Sequence, residues 1–213
     1  MIRIILIDID NTIYSKETGL QNTIIKRAKS FIKNITNFET QEIDSLANQL
    51  YTQYGTILSG LIQEYRIDPE EFIKFVFDVE ICDFLIEDLQ VKEVLTKLPG
   101  RKFVFSNSPK EYIEKILHCL GIYDCFDGVF DRRYFDYGSK SEPVVYRKVI
   151  NYLNVSPMDC VLVDDKLANI LIAKKLGFKT IWINENGLQD ISNADFVISK
   201  FVDIDKILLF DNS

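Results

Sequence analysis

The chain has 213 residues, 47% of them hydrophobic and 27% charged, with a formal net charge of -7. That length supports one well-packed core with room for a small insert, and that composition excludes a disordered polar chain. Nothing supplies the basic face of a nucleic-acid binder and no apolar run approaches a membrane span, so neither nucleic acid nor membrane is expected as a partner.

The first element is the run Ile2–Ile7, apolar, β-branched and too short for a helix. It lacks the basic start and long apolar stretch of a signal peptide. From Ser15 to Asp88 no strand pattern occurs. Helical spacing recurs instead over Leu20–Asn34, Gln41–Tyr54, Ile57–Tyr65 and Pro69–Val79, the last opened by Asp68 with Pro69 at the first helical position. Strand-like runs then return at Lys102–Phe105, Gly128–Phe130, Cys160–Val163, Lys179–Ile183 and Phe196–Ile198. Helical patterns separate them at Lys110–Leu120, Pro143–Leu153 and Asn169–Leu176.

Strands alternating with helices imply an α/β fold with a doubly wound, mainly parallel sheet. The expected organisation is a catalytic core of residues 1–14 and 89–213, with an all-helical cap, 15–88, inserted after the first strand. Caps of this kind close over active sites. Cys82, Cys119, Cys125 and Cys160 contain no CxxC pair, so four free thiols in a reducing cytoplasm are expected.

Ligands of open α/β sheets bind beyond the carboxyl ends of the strands. Those ends carry Asp8 and Asp10, then Ser106 and Asn107, then Asp164 and Asp165. Asp8 and Asp10 are two residues apart and, in a continuing strand, point the same way. Such carboxylates repel unless a cation lies between them, and hard oxygen donors suit Mg²⁺. Taken alone the pair reads equally well as a solvated strand end; Asp164 and Asp165 make the difference. Ser106, ahead of a helix opened by Pro109, offers a phosphate seat or an ordinary helix cap. Lys140 alone is no more than a surface charge.

The ordered set Asp8-Ile9-Asp10-Asn11-Thr12, Ser106-Asn107, Lys140 and Asp164-Asp165 with Asn169 resembles the four motifs of the haloacid dehalogenase-like superfamily. The segment Tyr54-Gly55-Thr56-Ile57-Leu58-Ser59-Gly60-Leu61, with Leu120-Gly121-Ile122 and Phe126-Asp127-Gly128, resembles the pyrimidine 5'-nucleotidases. The chain departs from that pattern where Ser141, not Pro, follows Lys140, and where Ser106 replaces the common Thr.

The resemblance implies Asp8 as nucleophile, Asp10 as acid and base, and Lys140 as catalytic lysine. It implies Mg²⁺ held by Asp8, the Asp10 carbonyl and Asp165, with Asp164 and Asn169 behind them. Ser106, Asn107 and Thr12 would meet the phosphoryl group, and Tyr54 and Thr56 the rest of a nucleoside 5'-monophosphate. Tyr14, Tyr51, Tyr54 and Tyr65 could stack on a base, but helix core is the favoured reading for most of them. A small phosphorylated metabolite is the expected partner, and a monomer or homodimer the expected state. A sugar-phosphate phosphatase or phosphomutase is the rival on the same scaffold, and a catalytically inactive binding module the remoter one. The single histidine, His118, lies on a helix away from any strand end, which argues against His-phosphatase chemistry.

Overall fold

The computed structural model describes residues 2–185 and 193–208. The expected core range 89–213 therefore extends over positions, 186–192 and 209–213, outside the described residues.

The strands are β1 (Ile4–Ile7), β2 (Arg101–Phe105), β3 (Gly128–Phe130), β4 (Cys160–Asp164), β5 (Lys179–Ile183) and β6 (Phe196–Ile198). They form one sheet in the order β3-β2-β1-β4-β5-β6, and every pairing is parallel. The order reverses at β1, which therefore sits at the switch point where such sheets bind ligands. Alternate β1 residues serve opposite faces: Ile5 and Ile7 enter one apolar cluster, Ile4 and Leu6 the other. Burial on both faces explains why β1 reads as an unbroken apolar run.

The helices are α1 (Leu20–Ile35), α2 (Thr40–Tyr54), α3 (Ile57–Tyr65), α4 (Pro69–Val76), α5 (Leu89–Lys97), α6 (Lys110–Cys119), α7 (Pro143–Leu153), α8 (Leu167–Lys175) and α9 (Asp205–Leu208). Residues of α5 and α6 cover one face of the sheet, and those of α7 and α8 the other. Helix α5 answers to no element expected from sequence; Asp88 starts it by accepting from the Gln90 and Val91 N–H groups. Helices α1–α4 follow β1 without an intervening strand, and their apolar faces continue the α5–α6 cluster through Ile9, Ile13 and Tyr14.

Two glycines set the approach of α2 to α3. Gly55 ends α2 with φ +76°, and a Cβ on Gly60 would lie 2.7 Å from Leu50 of α2. Their place in the Tyr54–Leu61 segment is a packing requirement.

The expectation of four free thiols is corrected. Cys82 and Cys119 form a disulfide, their Cα atoms 5.5 Å apart, while Cys125 and Cys160 are free. The bond joins the segment returning from α4 to the C-terminal end of α6. No helix among the described residues is long and apolar enough to cross a membrane.

Candidate active site

Asp8 follows β1 directly and is buried, with its backbone N–H bonded to Val163 of β4. Its Oδ2 accepts from Thr12 at 3.2 Å and its Oδ1 from the Lys140 ammonium at 2.5 Å. The same ammonium donates to Asp164 Oδ2 at 2.7 Å and to the Phe105 carbonyl at 3.1 Å. Lys140 thus ties the ends of β1, β2 and β4 together although it lies in a loop. That loop is fixed by Asn107, whose Oδ1 accepts from the Lys140 backbone N–H at 2.9 Å.

Asp164 is saturated with donors. Asn169 Nδ2 reaches its two oxygens at 3.0 and 3.1 Å, and the Lys166 N–H reaches Oδ1 at 2.8 Å. Asp165 differs: Oδ2 pairs with Lys166 at 3.0 Å, but buried Oδ1 has no hydrogen-bond partner. Its backbone carbonyl accepts from the Trp182 indole at 2.9 Å. Ser106 is buried, and its hydroxyl accepts from the Ser108 N–H at 3.1 Å.

Asp8, Asp164 and Asp165 each present an oxygen within 4.8 Å of the others. Burial raises the Asp8 carboxyl well above the usual carboxylate range; Lys140 pulls it back, and Asp164 and Asp165 push it further up. Burial, followed by Asp164, lifts Asp165 to about 6. For Lys140, burial opposes the charge, but Asp164 and Asp8 outweigh it and hold the ammonium above its ordinary value. Three carboxylates against the ammonium groups of Lys140 and Lys166 leave one negative charge in excess. An unpartnered carboxylate oxygen beside that excess suits a hard divalent cation such as Mg²⁺.

Asp10 does not join this cluster through its carboxylate. β1 ends at Ile7 and the chain turns, with Asn11 at φ +59°, so the parallel side-chain direction expected of a continuing strand is lost. The Asp10 carboxylate instead accepts from Ser108 Oγ at 2.7 Å, from the Tyr112 hydroxyl at 3.0 Å and from the Tyr14 hydroxyl. In sequence Ser108 offers no more than an ordinary helix cap ahead of Pro109, and Tyr112, on the apolar stripe of α6, gives no separate signal. The α6 start is capped from elsewhere, by Asp131 Oδ2 accepting from the Lys110 N–H at 3.1 Å.

The helical block supplies Thr56, which caps α3 and accepts from Arg132 Nη2 at 3.2 Å. The Tyr54 hydroxyl bonds Glu64 and Gln53 within that block. Tyr51 is half exposed. Tyr65 is also partly exposed, and Tyr14 is buried on Asp10. The block is clamped to the segment after β3: Arg133 pairs with Glu70 at 2.7 Å and Glu111 at 2.8 Å, and the Ser59 hydroxyl donates to the Tyr137 carbonyl at 3.0 Å. An open groove of about 860 Å³ between α1, α4 and α6 meets the site only through Tyr112. It lacks the convergent polar groups of the Asp8 cluster, which is therefore the candidate site.

A doubly wound parallel sheet with an aspartate–lysine cluster at its switch point, faced by a helical insert, defines a class of α/β hydrolase. The haloacid dehalogenase-like hydrolase profile matches residues 2–177, and the chain belongs to that family. It is 31% identical over 136 residues to the "Phosphate metabolism protein 8" of Saccharomyces cerevisiae, a match covering 60% of this chain and 42% of that protein, less than half its length. It is 27% identical to the "Putative pyrophosphatase PpaX" of Clostridium perfringens over 96% of each chain. Among solved structures, a HAD phosphatase from Thermococcus onnurineus shares the fold with a TM-score of 0.67 at 21% identity, covering 98% of each chain.

Proposed function

We propose that the protein is a Mg²⁺-dependent phosphatase that hydrolyses pyrimidine nucleoside 5'-monophosphates through an aspartyl-phosphate on Asp8. The observation that carries the phosphatase reading is Lys140, buried and bonded to both Asp8 and Asp164 beside Asp165.

In this scheme an Asp8 oxygen attacks phosphorus and the ester oxygen leaves. Asp10 protonates that oxygen and then takes a proton from the water that releases phosphate, a role worth about 10²–10⁴-fold. For this its carboxylate must leave one of its three hydroxyl partners and face the ester. Tyr14, Tyr112 and Ser108 hold it ready on the adjacent wall. Lys140 and Ser106 stabilise charge on the phosphoryl oxygens, and Thr12 orients Asp8. Mg²⁺ held by Asp8, the Asp10 carbonyl and Asp165 would offset repulsion between phosphate and carboxylates, with Asp164 and Asn169 bracing that site.

The nucleotide reading rests on the likeness of Tyr54–Leu61 to the pyrimidine 5'-nucleotidases. Partly exposed Tyr51 adds a surface suited to stacking on a base. Here residues 15–88 act as the cap, and the protein works on a small soluble substrate. The test is phosphate release from a panel of nucleoside monophosphates and sugar phosphates with Mg²⁺. Preference for UMP and CMP supports the reading; preference for sugar phosphates overturns the nucleotide part alone.

A further inference from the structure

Lys166 directly follows Asp165 and stands at the N-cap of α8. Its backbone is fixed. The N–H donates to Asp164 Oδ1 at 2.8 Å, and the carbonyl accepts from the Asn169 and Ile170 N–H groups at 3.0 and 3.2 Å. Its side chain is held at one point: the ammonium pairs with Asp165 Oδ2 at 3.0 Å, and the side chain is 48% exposed. Among the described residues Asp165 is the one carboxylate that Lys166 pairs with.

Lys140, the other cation of the cluster, is 3% exposed and bonded to Asp8, Asp164 and the Phe105 carbonyl. The two lysines are therefore unlike. Lys140 cannot leave without stranding buried carboxylates, whereas Lys166 can swing its flexible stem into water at little cost.

Charge decides which lysine a metal tolerates. Mg²⁺ and Lys140 together carry three positive charges, enough to balance Asp8, Asp164 and Asp165. The Lys166 ammonium is then surplus, and it lies on an oxygen of a carboxylate assigned to the ion. Two positive centres on one carboxylate repel, and half-exposure of the lysine reduces that repulsion without removing it.

We infer that Lys166 sets the metal affinity of the site: its ammonium holds Asp165 in the metal-free protein and swings into water when Mg²⁺ binds. This rests on the metal site proposed above. Lys166 acts through Asp165 and is a positioning residue. It keeps the carboxylate paired when magnesium is scarce, and raises the magnesium concentration that the site needs.

The experiment is titration calorimetry of Mg²⁺ into the full chain without substrate, for wild-type protein, K166M and K166R. K166M keeps the stem and removes the charge; K166R keeps the charge. K166Q replaces K166M where melting shows that K166M is not folded. Loss of the charge should tighten the Mg²⁺ dissociation constant by about 3- to 10-fold, a small factor because the lysine is half exposed. K166R should stay within about twofold of wild type. The Mg²⁺ concentration for half-maximal phosphate release should fall in K166M by the same factor. Binding by K166M that equals the wild type, or is weaker because Asp165 loses its support, overturns the inference, as does K166R binding as tightly as K166M. Wild-type protein that takes up no Mg²⁺ overturns the metal reading itself, and the inference with it.

Discussion

The Lys140 ammonium lies 2.5 Å from Asp8 Oδ1, across 132 positions of sequence, and both side chains are buried. Replacing Lys140 by Met leaves Asp8, Asp164 and Asp165 without their buried cation. In Mg²⁺-free buffer this should cost about 3 kcal/mol by urea denaturation, the lower end for a broken buried pair because the carboxyls can take up protons. Turnover should fall by about 10²–10³-fold. A stability loss below about 1 kcal/mol would show that the ion pair is not what holds the cluster.

Asp165 Oδ1 is the carboxylate oxygen that the cluster leaves without a partner. Mg²⁺ at about 100 times its dissociation constant should stabilise the wild-type fold by about 2.7 kcal/mol. In Asp165→Ala the gain should largely vanish. Calorimetric melts with Mg²⁺ and with a chelator measure both, and an equal shift in the two proteins contradicts the assignment of Asp165 to the metal.

The clamp between the helical block and the core has its own pH signature. Hydrogen bonds from Arg133, then from Tyr137, lower Glu70 from its ordinary 4.5 to about 2. A carboxyl depressed in the folded state stabilises above its unfolded pKa and loses that contribution as pH falls through the folded value. The stability gap between wild type and Glu70→Gln should therefore be constant above about pH 5, narrow below it and close near about pH 2. Glu70 is half exposed, so the gap at neutral pH should stay below about 1 kcal/mol. A gap that widens on acidification contradicts the clamp.

Cys82 and Cys119 are 37 positions apart, and closing that loop in the unfolded chain is worth about 4 kcal/mol. Reduction should lower the urea midpoint accordingly. Thiol titration of the unreduced, unfolded protein should find two thiols, those of Cys125 and Cys160. Four titratable thiols, or a midpoint indifferent to reductant, would show that the pair stays open.

The sheet was legible in sequence because each strand is a short apolar run ending in polar residues. β1 and β4 carry their carboxylates where the chain leaves the sheet. Lys140 and Asn169 were legible only through the ordered motifs, since nothing local marks either. The turn of Asp10 away from Asp8 depends on Ser108 and Tyr112, 98 and 102 positions later, which no local pattern reveals. The disulfide escaped for the same reason. Helix α5 carries its apolar residues at Val91, Val94 and Leu95, but Leu89 is exposed, which blurs the stripe.

The central claim is that Asp8 is the nucleophile, and Asp8→Asn tests it most directly. Asn keeps the shape and removes a buried charge that the fold already pushes toward neutrality. The variant should melt no lower than wild type in Mg²⁺-free buffer, while Mg²⁺-dependent phosphate release from UMP falls by at least about 10³-fold. A folded Asp8→Asn protein that releases phosphate at close to the wild-type rate contradicts the account.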